Sequence, residues 1–215
     1  RNRSAWITPC GNDAQSCRAC SAISLSSNAA SSVSRNGRTC GAVAAYKAKY
    51  EHLSVLQIDA HLDLRDEYEG TPYNHASVMR RVFDMCEFVQ VGIRSGCEDE
   101  YAFAKKKKLK PFFAHELDRD GKWMELALAR LGQNVYITID LDGLDPSVIP
   151  AVGTPEPGGL GWFDTLKFLR MVCERRTVVG ADVMELSPIP GNVQGDFAAA
   201  KLVYKLIGYT FNDKR

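Results

Sequence analysis

No apolar run in the 215 residues approaches the roughly 18 that a membrane-spanning helix needs, so a membrane protein is not expected. No charge of one sign dominates either. The 27 basic and 26 acidic side chains leave a formal net charge of +1, too little to draw the chain as a whole toward nucleic acid or an anionic membrane. No charged-then-apolar leader opens the chain, and because it begins on Arg1 its first residue is not expected to be the native start. Internal repeats are absent, and histidine is limited to four residues. What is present is ordinary globular composition, 45% hydrophobic and 25% charged, which excludes a wholly disordered chain, collagen and coiled coil. The length is enough to bury a sizeable core.

Seven cysteines cannot all pair within the chain. Cys17 and Cys20 form a C-x-x-C, which reads as a redox pair or half of a zinc site. Only Cys10 and Cys40 lie near it and no histidine does, so reduced thiols in a cytoplasmic compartment is the preferred reading.

Composition changes near residue 40. Residues 1–40 are rich in Ser, Ala, Asn, Arg and Cys, carry few bulky apolar side chains and show no sustained period of 2 or 3.6. They are expected to be an atypical segment, non-native or disordered, with a composition resembling a shifted reading frame. Residues 41–215 read as a single α/β domain. Helices are expected over 42–50, 78–85, 98–108, 122–131 (stopped by Gly132), 162–174 and 197–207. The last of these takes Asp196 as its N-cap and Gly208 as its stop. Strands are expected over 53–59, 88–93, 111–114, 134–140 and 177–185. They alternate with the helices and are apolar on both faces, which predicts a mostly parallel sheet covered by helices on both sides, a three-layer α/β fold. Ligand sites in such folds form at the carboxyl ends of the strands.

Two strands end in carboxylates. Asp59, His61 and Asp63 stand at i, i+2 and i+4, a spacing that puts all three on one face of extended backbone, and Asp140 and Asp142 repeat the i, i+2 pair. So many carboxylates would repel one another without a cation. Carboxylates with one imidazole suit Mn²⁺, with Fe, Co or Zn as alternatives, and their number suggests two ions roughly 3.5–4 Å apart. The Gly158, Gly159 and Gly161 cluster lacks the preceding strand of a dinucleotide loop, so no nucleotide cofactor is implied. Lys105–Lys108 reads as a solvated helix end, and His52 and His115 as surface or supporting residues.

IDAHLD (58–63), ITIDLDGLDP (137–146), GTPEPGGL (153–160), DVMELSPIPG (182–191) and AAAKLVYKLI (198–207) together resemble the arginase/agmatinase family of ureohydrolases, in the family's order over about residues 42 to 210. The Pro-Glu-Pro is more like agmatinases than arginases. The resemblance implies the three-layer parallel-sheet fold, two Mn²⁺ ions, and hydrolysis of a guanidino compound, agmatine above all, to urea and an amine by a metal-bridging hydroxide. It implies that Asp59 and Asp140 bridge the ions, that Asp63 completes one shell and takes a proton from the hydroxide, and that His61 and Asp142 complete the other. His75 would pass a proton to the departing amine, although Ala76 follows it where the family usually has glycine. Glu185 would hold the guanidinium, with Glu156 as a second carboxylate near the site. A cytoplasmic homo-oligomer of polyamine biosynthesis with a small-molecule substrate and no nucleic-acid or membrane partner goes with this reading.

The chain departs from the family before IDAHLD. The family has further strands there and a Gly-Gly-Asp/Glu-His stretch that supplies one ion's histidine. No such stretch is present, and His52 stands at the wrong end of its strand. The fold is therefore expected to be amino-terminally incomplete, with one ion held by carboxylates alone. The competing readings are a catalytically impaired family member acting in binding or assembly, and arginase or guanidinobutyrase activity.

Overall fold

A computed structural model describes residues 23–27, 37–117 and 120–211. Six strands, β1 (Ile23–Ser27), β2 (Leu53–Ile58), β3 (Glu87–Ile93), β4 (Phe112–Phe113), β5 (Asn134–Asp140) and β6 (Thr177–Leu186), form one sheet in the order β1-β6-β5-β2-β3-β4. Every pairing is parallel. The central strand β2 is buried at all six positions, as its largely apolar sequence requires in a sheet covered on both faces, with Ser54 and Gln57 buried among the apolar side chains.

Two hydrophobic clusters flank the sheet. On one face α4 (Lys122–Ala129), α5 (Trp162–Arg175) and α6 (Gln194–Phe211) bring Met124, Phe168 and Leu202 against Ile58, Ile137 and Val183. On the other, α1 (Gly37–Lys49), α2 (Val78–Phe83) and α3 (Glu98–Lys106) bring Val43, Met79 and Ala104 against Val55, Ile93 and Tyr136. The result is the expected helix–sheet–helix layering, and among the described residues no helix is long and apolar enough to cross a membrane.

Several expectations are corrected. The last helix begins at Gln194 and runs to Phe211, so Asp196 lies in its first turn and Gly208 inside it. Asp196 complements the helix dipole from there rather than capping. Helix α4 ends at Ala129 with Arg130 as its C-cap, and Gly132 instead donates its N–H to Ser54 Oγ at 3.0 Å. Helix α1 starts at Gly37, and β1, for which no strand is expected, lies inside the atypical segment and pairs in parallel with β6. Cys10, Cys17 and Cys20 lie outside the described residues, while Cys40, Cys86, Cys97 and Cys173 are free thiols.

Candidate metal centre

The carboxyl ends of β2 and β5, adjacent in the sheet, bring the two acidic motifs together. They do so just past the strand ends, the second of them in a turn. Strand β2 ends at Ile58, and Asp63 has φ 54°, in the left-handed region. Past β2 the chain bends at Ala60 and bridges in parallel from His61 to Ser95 before Asp63 takes its left-handed conformation, so the expected alternation along extended backbone does not extend through Asp63. Strand β5 ends at Asp140, and a 3-10 turn over Leu141–Gly143 folds back so that the Asp142 N–H donates to Asp140 Oδ1 at 3.1 Å. Gly143 is required in that turn, since a Cβ there would lie 2.7 Å from Asp59 N. The Ala60 N–H then reaches Asp142 Oδ1 at 3.2 Å, tying the two motifs directly.

A cleft of about 360 Å³ is lined by Asp59, His61, Asp63, His75, Asp140, Asp142 and Glu185. Glu156 is not among its lining residues but stands at the rim, with Oε1 4.0 Å from His61 Nε2. His61 Nδ1 lies 3.1 Å from Asp142 Oδ2 and 3.5 Å from Asp59 Oδ1. Asp59, His61 and Asp142 can offer ligand atoms within 4.8 Å of one another. Beneath them runs a buried amide relay. Gln90 Nε2 donates to Gln57 Oε1 at 2.7 Å, its cross-strand neighbour, and Gln57 Nε2 donates to Asp59 Oδ2 at 2.7 Å.

His75 opens a 3-10 turn on the cleft wall, its ring edge-on to Tyr68 at 5.4 Å. Ala76 lies in the same turn and is not among the residues of positive φ, so no glycine is needed after His75. Glu185 has φ 64°, a conformation that only the surrounding strand and loop impose on a glutamate. His52 and His115 are exposed, as expected of surface residues.

The electrostatics fit a cation. Burial, then the Asp142 charge, pushes the Asp59 carboxyl up to about 7. Burial followed by neighbouring carboxylates drives Asp63 and Asp140 well up. Burial alone would also raise Asp142, but hydrogen bonding to His61 holds it below its usual value. Burial opposes a charge on His61, yet the Asp142 and Asp59 carboxylates outweigh it and carry the imidazole up to about 11. Without metal, an imidazolium thus neutralises part of a cluster with more carboxylates than it can satisfy. A divalent ion would displace that proton and relieve the repulsion.

A pH dependence follows. Asp59 binds its proton more tightly folded than unfolded, so between about pH 4 and 7 the folded state loses stability as pH rises. The raised His61 acts in the same direction, its contribution being complete below its ordinary value and lost as pH climbs toward 11. Metal-free protein should therefore melt roughly 4–8 °C lower at pH 8 than at pH 5, about 2 kcal/mol for a chain this size. Saturating Mn²⁺ should abolish or reverse the trend, and thermal melts at both pH values with and without the ion measure it. A metal-free Tm that rises over this range would contradict the stated protonation of the cluster.

Several residues of the site carry no clear signal in the sequence. Glu100 is buried, accepts the Leu64 and Cys97 N–H groups at 2.8 Å each, and lies 3.7 Å from Arg65 Nε. Its helix is polar in sequence, with nothing to mark that one acid faces inward. Arg65 and Tyr68 line the cleft from a loop without a motif. Thr154 Oγ1 donates to Asp142 Oδ2 at 3.1 Å, and its position within GTPEPGGL is the one signal that could have found it.

The arginase family model matches residues 37–208. The chain is 44% identical over 167 residues to N(1)-aminopropylagmatine ureohydrolase of Synechocystis, covering 77% of this chain and 55% of that protein. It is 38% identical over 159 residues to agmatinase of Pyrococcus horikoshii, covering 74% and 56%. Its fold is similar to agmatine ureohydrolase of Thermoplasma volcanium, with TM-score 0.75 and 32% identity over 87% of this chain and 61% of that one. The chain thus spans little more than half the length of the relatives it matches. With the parallel sheet, the acidic cluster at its carboxyl edge and a match over most of its length, this chain belongs to the arginase family.

Proposed function

We propose that the chain supplies the cleft of a metal-dependent hydrolase that splits a guanidino compound into urea and an amine, with agmatine or its N1-aminopropyl derivative as substrate. The observation that carries this reading is the convergence of five acidic-motif side chains, Asp59, His61, Asp63, Asp140 and Asp142, on one cleft with His75 and Glu185. The names of the relatives motivate the substrate pair. Asp59, His61, Asp63, Asp140 and Asp142 would hold the cations, with Asp59 and Asp140 available to both positions, Asp63 to one, and His61 with Asp142 to the other. Mn²⁺ suits this carboxylate-rich set, and when bound it would supply Lewis-acid activation of water.

The protein's own groups account for the remainder. Glu185 holds the guanidinium by charge-assisted hydrogen bonds and sets its carbon before the attacking water. Asp63 accepts a proton from that water as it adds to the carbon. His75, braced by Tyr68, delivers a proton to the nitrogen that departs when the C–N bond breaks, leaving urea and the free amine. With agmatine the amine is putrescine, which places the reaction in polyamine biosynthesis. A cytoplasmic homo-oligomer is the setting proposed with it.

Urea release from agmatine, N1-aminopropylagmatine, arginine and guanidinobutyrate, measured in parallel with Mn²⁺, is the direct test. Turnover of the first two above the others is expected. No urea from any of them would support the second reading, a family member retained for binding or assembly. One observation favours that alternative: the single ligand group that closes among the described residues contains one imidazole, His61. One Mn²⁺ is accordingly expected to bind tightly and a second weakly, with turnover rising with added Mn²⁺ and toward alkaline pH. Calorimetric titration of metal-free protein checks this, and two equally tight sites would contradict it.

A further inference from the structure

Arg94, just beyond β3, makes a set of contacts that the proposed reaction does not use. Its Nη2 donates to the carbonyl oxygens of Asp142 and Glu156, each at 2.6 Å. Its Nε donates to Pro157 O and its Nη1 to Gly92 O, each at 3.0 Å. These acceptors belong to three separate pieces of chain: the end of β3, the turn after β5, and the loop over 153–159. All are backbone carbonyls, so one planar guanidinium clamps main chain to main chain where a carboxylate partner would fix only a side chain.

The loop it holds is pinned at two other places. Asp145 Oδ2 accepts the N–H groups of Gly158 and Gly159 at 2.9 and 3.2 Å. Thr154 ties the near end to the Asp142 carboxylate. The loop runs so close to the clamp that a Cβ on Gly159 would lie 2.5 Å from Leu144 C and 2.7 Å from Arg94 Nη2. Between these ties stands Glu156, flanked by two prolines that restrict the backbone, with its carboxylate 4.0 Å from His61 Nε2.

We infer that Arg94 is a positioning residue: it locks the 153–159 loop onto the turn after β5, and in doing so sets both the Asp142 carboxylate and the height of Glu156 above the cleft. The inference rests on the proposed function for its catalytic consequence, but its structural and metal-binding consequences can be read separately. Without the guanidinium, four carbonyls lose a charged donor, and the loop keeps its Asp145 and Thr154 ties and the backbone bonds of Leu160 to Gly143 and Asp145 just beyond its end. The Asp142 main chain is released on the side facing the loop.

The test compares the full chain with Arg94→Met, which keeps much of the aliphatic stem, and Arg94→Lys, which keeps the charge. In metal-free protein, amide hydrogen exchange at Gly158 and Gly159 should accelerate by about tenfold or more in Arg94→Met while the amides of α5 keep their rates. The Mn²⁺ dissociation constant should weaken by about tenfold, the scale expected when support of a metal ligand is removed. Arg94→Lys should recover part of both, since an ammonium can reach one carbonyl at a time. In turnover, KM should rise more than kcat falls. Unchanged exchange and unchanged Mn²⁺ affinity in Arg94→Met would overturn the inference, as would equal acceleration throughout α5 and α6, which would mean a general loss of stability. If the unaltered chain binds Mn²⁺ but releases no urea, the proposed function fails, while the exchange and affinity ratios still decide the role of Arg94.

Discussion

Asp140→Asn should leave the fold intact, eliminate Mn²⁺ binding at both positions and reduce turnover by roughly 10³-fold or more, the scale of removing a group that stabilises transition-state charge. Asparagine keeps the oxygen that accepts the Asp142 N–H, so the 3-10 turn after β5 survives. It also needs no proton in order to be buried, whereas burial first and the neighbouring carboxylates second lift Asp140 well above its ordinary value, so the parent must take up a proton on folding. The metal-free variant should therefore be more stable than the parent at neutral pH, by about 1–3 kcal/mol. Mn²⁺ should no longer raise its Tm. This combination of gained stability and lost metal separates a bridging carboxylate from a structural one. Asp59→Asn should behave similarly toward metal, with a smaller stability gain because the Gln57 amide would face an altered partner. His61→Ala should damage mainly one ion. Metal content of the purified variants and their melts with and without Mn²⁺ provide the measurement, and normal metal content in Asp140→Asn would remove the bridging assignment.

Glu185→Gln should lower kcat/KM by the equivalent of about 2–4 kcal/mol, or roughly 30- to 1000-fold, with metal content unchanged. The amide matches the carboxylate in size but loses the ionised acceptor that pairs with a guanidinium. The backbone offers an internal control. Glu185 sits at φ 64°, where a side chain costs about 1 kcal/mol or more relative to glycine. Glu185→Gly should relieve that strain, keep or raise the Tm, and abolish turnover. A near-normal kcat/KM in Glu185→Gln would show that the guanidinium is held elsewhere.

Both variants concern residues that stand out in the amino-acid sequence, and the reason for such legibility differs from part to part of the chain. Largely apolar runs such as LSVLQI and NVYITI announce buried parallel strands because a sheet covered on both faces favours apolar side chains on both, with the few polar ones, such as Gln57, hydrogen-bonded within. Asp59, His61, Asp140 and Asp142 stand out because carboxylates grouped at strand ends have few stable uses without a cation. The IDAHLD and GTPEPGGL motifs carry the family, and the arginase family match over 37–208 agrees.

Side-chain direction, partner and backbone shape are not legible in that way. Whether Asp63 shares a face with Asp59 depends on a left-handed residue after β2, not on strand alternation, and no period in sequence reports a φ of 54°. Glu100 reads like its solvated neighbours Glu98 and Asp99, yet it alone turns inward to cap Leu64 and Cys97, because a helix places successive residues on different faces. Arg94 is one of many arginines in sequence. It becomes a clamp only because the turn after β5 and the 153–159 loop, 48 to 63 residues further along the chain than Arg94, converge with the end of β3 at one edge of the sheet. By itself, then, the sequence determined strands β2 to β6, the layers, the family and the acidic groups of the site. The tertiary structure alone decided how those groups face one another and what holds them there, because long-range hydrogen bonds and burial depend on packing that no local pattern encodes.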